Sequence, residues 1–333
     1  MKKYVLPIFL MTLASCSSQI HFLTDKEKGP KHDTEKAVEA VDSKLAQKEA
    51  HKAAIKLKER HELENFCLKE LSKLPGKFDN NLLVKACSNV EKYDICESVQ
   101  GRPIFHFEKI VKNEKRRILT LALIHGDEKT GGSVARSWME RLEELDPRSS
   151  WRIIPVANPD GTESNTRTNA NGVDLNRNFP TNNWQNLAIK YWKNRTRSSK
   201  RRYPGPNASS EIETKCLMKQ ILEFQPDFII SIHTPLGMLD FDGPKVNFPP
   251  VDGLPWRRLG NYPGSLGRYM WRDNNVPVLT IELKGSDPIQ SFKKLDNLQD
   301  VSGLVAILAQ KELKKAGIKK KLIKEEKTAQ KEK

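Results

Sequence analysis

Ile118-Leu119-Thr120-Leu121-Ala122-Leu123-Ile124-His125-Gly126-Asp127-Glu128 is a nearly unbroken apolar run that stops at a histidine, with a carboxylate three residues further on. Such a run suits a strand buried on both faces of a sheet. Beyond it Val134, Ala135, Trp138, Met139, Leu142 and Leu145 recur on one helical face, and Pro147 follows as a stop. Strand, loop and helix in that order are the repeating unit of an α/β domain. Trp151 to Ala157, Asp227 to Ile232 and Val278 to Leu283 read as further strands. The expected fold is α/β, a central mixed twisted sheet flanked by helices and preceded by a helical stalk.

The histidine at the end of the first run gains meaning from a second one. Phe228-Ile229-Ile230-Ser231-Ile232 is another apolar strand that ends in a histidine, His233. Ligands gather at the C-terminal edge of strands in α/β sheets. His125, Glu128 and His233 delivered there are a plausible donor set for one catalytic zinc, which takes three protein ligands and keeps a position for water. Glu282, in Leu279-Thr280-Ile281-Glu282-Leu283, points opposite Ile281. If that face lines the cleft, Glu282 can act as general base. His106 alternates with Phe105 and Phe107 and is expected to point away from the apolar face that they define.

Ile124-His125-Gly126-Asp127-Glu128, Asn158-Pro159-Asp160-Gly161, the run Arg167 to Pro180 with Asn169, Gly172-Val173-Asp174-Leu175-Asn176-Arg177-Asn178-Phe179-Pro180, then Ser231-Ile232-His233 and Thr280-Ile281-Glu282 occur in order. Together they resemble the zinc carboxypeptidase family typified by carboxypeptidase A, over about residues 95 to 312. The resemblance implies that His125, Glu128 and His233 bind one zinc ion per chain, that Glu282 activates water, and that Arg167 stabilises the oxyanion. It gives Asn176 and Arg177 to a substrate carboxylate, which a planar guanidinium can hold through two parallel hydrogen bonds. Tyr262 is the nearest equivalent of the family's substrate-covering tyrosine. The loop Gly264 to Gly267 contains no acid that would select a basic side chain. Ser210 and Glu213 read as a capping box for the helix that follows.

Within the family, the short domain and the Tyr262-Pro263-Gly264-Ser265-Leu266-Gly267 loop look most like the murein peptide amidases. That likeness implies peptidoglycan peptides as substrate, cut between γ-D-glutamate and meso-diaminopimelate or nearby. A carboxypeptidase acting on protein C-termini and a non-catalytic wall-binding lipoprotein are the alternative readings.

The start of the chain agrees with an envelope address. Lys2 and Lys3 precede an apolar run from Tyr4 to Ala14, and Leu13-Ala14-Ser15-Cys16 resembles a lipoprotein signal with lipidation at Cys16. The run is too short to span a bilayer, which needs roughly 20 residues. Ser17 fits the outer membrane if the source is Gram-negative. Lysine and arginine number 57 against 42 acids, a formal charge of +15 that suits polyanionic surroundings. Outside the cytoplasm nucleic acid is not expected among them. Cys67, Cys87, Cys96 and Cys216 form an even set for which three complete pairings are open.

The expected organisation is a signal peptide over 1–15, a lipidated N-terminus and charged stalk over 16–62, and a small helical prefix over 63–95. A catalytic domain follows over 96–312, and a basic tail over 313–333. Six lysines and arginines fall between Lys193 and Arg202 without an acid among them, which reads equally as solvated charge or as attraction to acidic polymer.

Overall fold

The computed structural model describes residues 31–285 and 291–321. The signal, Cys16 and the last twelve residues of the basic tail lie outside them. The chain divides into two units, residues 1–56 and 57–333. Helix α1 covers Lys31–Ser72. From Gln47 to Arg60 every side chain on it is exposed, so this stretch rests on the helix propensity of its Ala, Lys, Glu and Leu rather than on packing. Further along the same helix Cys67 and Leu71 are fully buried, and the residues read as a separate prefix share the core of the sheet. Helix α2, Asn80–Cys87, begins at Asp79, whose carboxylate accepts from the backbone N–H groups of Asn81 and Leu82.

Seven strands form one sheet: β1 Val90–Glu91, β2 His106–Lys109, β3 Arg117–Ala122, β4 Ser150–Ile154, β5 Phe228–His233, β6 Leu236–Asp242 and β7 Val278–Lys284. Their order is β1-β2-β4-β3-β5-β7-β6. The four central strands are parallel, while β1, β2 and β6 are antiparallel to their neighbours. The sheet is therefore mixed, as expected.

Alternation along the strands sorts the core into two layers. Ile118 and Ala122, Phe228, Ile230 and Ile232, and Leu279 and Ile281 face α1, α2, α3 (Lys129–Glu144) and α7 (Phe292–Lys315). Leu119 and Leu121, Ile229 and Val278 face the other way, onto α6 (Ile212–Phe224) and the segments around Leu175, Phe179 and Met270; α4 (Pro159–Glu163) and α5 (Trp184–Arg195) lie in the connection between β4 and α6. On β5 and β7 this second face also carries Ser231, His233, Thr280 and Glu282.

The cysteines pair Cys67–Cys87 and Cys96–Cys216. The first ties α1 to α2. The second closes a loop of 120 residues between the start of the sheet domain and α6. In the basic tail, Lys314 and Lys315 end α7, and the Lys320 ammonium is held by Asp227 at 2.6 Å.

His106 points away from the layer that holds Phe105 and Phe107, but it does not reach water. It is 1% exposed, stacks on Tyr93 and accepts from Gln220 Nε2 at 3.0 Å. Burial, and then the nearby Arg152, press its pKa down to about 3. The native ring stays neutral where the unfolded ring, with a pKa near 6.5, takes up a proton. This contribution to stability is present above about pH 6.5 and lost as pH falls toward 3, by at most about 1.4 kcal/mol per pH unit. Glu140, pushed up to about 7 chiefly by burial, has the opposite sign over part of that range and is common to wild type and variant. Urea unfolding of His106→Gln should therefore show a shallower loss of stability between pH 6.5 and 4.5 than wild type. Parallel slopes would assign the acid sensitivity to other groups.

Candidate active site

The apolar run before His125 forms a strand that ends two residues earlier than expected. β3 ends at Ala122, and Leu123 takes a left-handed φ of +49°, so the chain turns before His125. The loop that follows lies directly on the turn at Asn158 to Gly161. A Cβ on Gly126 would sit 2.0 Å from the Gly161 carbonyl carbon, so no side chain fits there. Glu128 occupies the N-cap position of α3 yet makes no side-chain cap bond.

Its carboxylate is turned to two imidazoles instead. Glu128 Oε1 lies 2.9 Å from His125 Nδ1 and Oε2 lies 2.9 Å from His233 Nδ1. The two Nδ1 atoms are 3.2 Å apart, and all three side chains are buried. On their far sides, His125 Nε2 meets Asp174 Oδ1 at 3.2 Å and His233 Nε2 meets Ser231 Oγ at 2.9 Å. Protons on the Nε2 atoms satisfy those partners and leave both Nδ1 lone pairs converging with the carboxylate. Two facing nitrogen acceptors and a carboxylate need a shared cation. One donor atom from each residue lies within 4.8 Å of the others, and among the described residues this is the single such cluster. The donor set fits zinc, bound through bonds of about 2.0–2.2 Å.

Asp174 holds the site from behind. It is fully buried, and its second oxygen accepts from Arg167 Nε at 3.0 Å. Burial pushes its carboxyl up, but Arg167 and then His125 outweigh that and hold it well below its usual range. Burial likewise opposes ionisation of Glu128, and His125 and His233 reverse the balance. Arg167 also approaches Glu128 Oε1 at 3.5 Å.

A cavity of about 480 Å³ opens beside the three donors. Glu282 lines it, in register with His233 on the neighbouring strand. Its Oε2 is buried without a hydrogen-bond partner. Burial raises its pKa, with His233 opposing. Arg177 lines the same cavity, is 7% exposed and forms no ion pair among the described residues. Its guanidinium lies 4.6 Å from the centroid of the Tyr262 ring. Tyr262 donates its hydroxyl to the Leu259 carbonyl, and Asn176 Oδ1 accepts from Leu266 N–H at 2.9 Å. Asn176 thus fixes the 262–267 loop while it borders the cavity. Gly264, at φ +77°, packs so closely that a Cβ would meet the Arg177 carbonyl oxygen at 1.9 Å.

Acids do line this cavity, though the 264–267 loop supplies none. Asp240 and Asp242 project into it from β6. Burial raises both, and with Asp240 beside it Asp242 reaches about 6. Gly267 makes room, since a Cβ there would fall 2.2 Å from Asp242 Oδ2. The signal in the sequence was the two-residue spacing of Asp240 and Asp242, which puts both on one face of a strand. Asp174 was within a quoted motif and had no role assigned to it.

The capping box does not form. The N-cap of α6 is Glu211, without a side-chain cap bond. Ser210 donates to Glu211 Oε1, while Glu213 accepts from Asn169 Nδ2 and the Val99 N–H. These side chains anchor the loop that carries Arg167 and Arg177 instead of the helix end. In the basic segment, Arg201 and Arg202 reach the cavity and Arg201 pairs with Asp127.

The zinc carboxypeptidase family model matches residues 80–240. Murein peptide amidase A of Vibrio campbellii is 32% identical over 199 residues, 56% of this chain and 77% of that protein. Its namesake in Escherichia coli K12 is 32% identical over 145 residues, 43% of this chain and 59% of that protein. Bovine thrombin-activatable fibrinolysis inhibitor, solved with tick carboxypeptidase inhibitor, shares the fold with a TM-score of 0.53 and 17% identity, covering 71% of this chain and 94% of that one. This chain belongs to the zinc carboxypeptidase family, and it is a hydrolase.

Carboxylates that orient metal-binding histidines commonly contribute ten- to a hundredfold to metal affinity. Asp174→Asn should therefore bind zinc about ten- to a hundredfold more weakly by competition with a chromophoric chelator, while retaining its circular dichroism. Unchanged affinity would mean that His125 is oriented by its backbone alone.

Proposed function

We propose that this protein is a zinc-dependent amidase that cuts peptidoglycan peptides next to a residue with a free carboxylate, at the γ-D-glutamyl–meso-diaminopimelate bond. The observation that carries this reading is the arrangement of charge around the donor cluster. A buried guanidinium that forms no ion pair among the described residues, Arg177, shares one cavity with two acids, the buried Asp240 and the half-buried Asp242. Diaminopimelate offers carboxylates to the first and an ammonium to the second. The names of the two amidases point the same way. A carboxypeptidase acting on protein C-termini would also use Arg177, but it has no general need for the acids.

His125, Glu128 and His233 would hold the zinc. When bound, the ion supplies the Lewis acidity that lowers the pKa of water and polarises the scissile carbonyl. Glu282 accepts the proton of the attacking water at its unpartnered Oε2 and delivers it to the leaving nitrogen. A raised pKa suits a group that must both take and give a proton near neutrality. Arg167 donates to the carbonyl oxygen as negative charge develops. Arg177 fixes the leaving residue through its carboxylate, with Tyr262 packed against it and Asn176 alongside.

The lipidation read at Cys16 would place the enzyme in the cell envelope, anchored to the membrane and facing the periplasm or exterior. The two disulfides support an oxidising compartment.

Purified muropeptides digested with the protein should yield free meso-diaminopimelate or diaminopimelyl peptides by mass spectrometry, with none formed in the presence of a strong chelator. Cleavage of protein C-termini alone would reassign the substrate. Glu282→Gln should retain stoichiometric zinc and lose at least about a hundredfold in kcat, within the range typical of general base removal. Wild-type turnover in that variant would exclude Glu282 as the base.

Arg177 should distinguish a substrate with a free carboxylate on the leaving residue from its amidated counterpart. Losing a buried charged partner costs about 2–5 kcal/mol, roughly thirtyfold to several thousandfold. Arg177→Ala should bring kcat/KM for the two toward equality by slowing the free acid. A mutant that keeps the full preference would move carboxylate recognition to another residue.

A further inference from the structure

A second cavity, of about 670 Å³, adjoins the first and shares Arg167 and Arg201 with it. Trp192 and Tyr203 supply an aromatic wall, with ring centroids 5.0 Å apart. Trp192 is held by a bond from its Nε1 to the Ser199 carbonyl. Tyr203 is held near the site by its carbonyl, which accepts the Asp174 N–H at 2.8 Å. Tyr203 thus belongs to the loop that holds Asp174 behind the donor cluster, and Trp192 packs on it from the helix Trp184–Arg195.

The two cavities define a direction for the substrate. With the leaving residue's carboxylate on Arg177 and the scissile amide at His125, Glu128 and His233, the acyl portion must continue past Arg167 into the second cavity. A γ-linked glutamyl residue differs from an ordinary α-linked residue at this point. Its α-carboxylate is not consumed in the peptide bond, so it remains as a free anion on the acyl side.

Arg201 is placed to meet that anion. Its guanidinium borders both cavities and pairs with Asp127, next to Glu128 in the chain. The side chain is 58% exposed, and an ion pair in such a setting is weak enough to rearrange. A guanidinium carries five donors, and the edge not occupied by Asp127 can bind a carboxylate. Asp127 itself would repel an incoming carboxylate, so the cation beside it is needed for an anionic acyl group to approach. Asp127 also tethers Arg201 where the two cavities adjoin.

We propose that Arg201 is a specificity-determining residue that recognises the free α-carboxylate of a γ-linked acyl residue, and thereby selects γ-glutamyl over α-linked peptides. This rests on the substrate class proposed above. It assigns one function to the basic segment that precedes Tyr203.

The test compares L-alanyl-γ-D-glutamyl-meso-diaminopimelate with the same peptide carrying a carboxamide in place of the glutamyl α-carboxylate. Both keep the leaving residue intact, so Arg177 sees no difference. For the wild type, kcat/KM should favour the free acid by about ten- to a hundredfold, the range of one or two hydrogen bonds to a charged group. Arg201→Ala should lose most of that preference by slowing the acid alone, and Arg201→Lys should keep part of it. Zinc content and melting temperature check that each variant is folded, and the wild-type comparison needs no variant. If the wild type cleaves acid and amide equally, or Arg201→Ala retains the full preference, the inference is overturned while the amidase reading stands. If the zinc-loaded wild type cleaves neither peptide, the amidase reading fails and the inference falls with it.

Discussion

The ion pair between Asp174 and Arg167, with His125 on the other carboxylate oxygen, is the interaction on which the rest of the site depends. A carboxylate with no exposure at all is costly unless it is both paired and hydrogen-bonded. Asp174 achieves this only with an arginine and a histidine in place together. Its position therefore fixes which imidazole nitrogen of His125 faces inward and where the Arg167 fork lies. Removing either partner would leave a buried charge, so this loop has little freedom to drift. Glu211 and Glu213, behind the same loop, hold Asn169 and Asn171 and extend the constraint outward.

The sheet supplies the other half of the geometry. Because β3, β5 and β7 are parallel neighbours, their C-terminal ends meet at one edge. Period-two alternation then places His233 and Glu282 on the same face and opposite the packed layer of Ile232 and Ile281. These two side chains displace nothing from the core. They occupy positions that α6 leaves uncovered.

What could be read from the chain follows the range of the forces involved. His125 and His233 were legible because long apolar runs stop there, although only β5 runs to its histidine and β3 stops at Ala122; the faces of His106 and Glu282 were legible because alternation is a local rule. The disulfide pairing was not, since it depends on α6 returning to the start of the sheet domain across 120 residues. The acids of the cavity were missed for a similar reason. Asp240 and Asp242 matter only because β6 turns back antiparallel beside β7, a pairing that no local pattern announces. The capping box at Ser210 and Glu213 failed where tertiary demand overrode local propensity, as both side chains were needed by neighbouring loops.

Gly264 carries a consequence for anyone who wishes to retarget this enzyme. Its backbone lies against the Arg177 carbonyl with no room for a side chain, and Leu266 N–H is tied to Asn176. The 262–267 loop and the arginine proposed to clamp the leaving residue's carboxylate are thus one mechanical part. Grafting a different loop from a relative would carry the guanidinium along with it, so specificity here is best altered by exchanging side chains on the rigid strand β6.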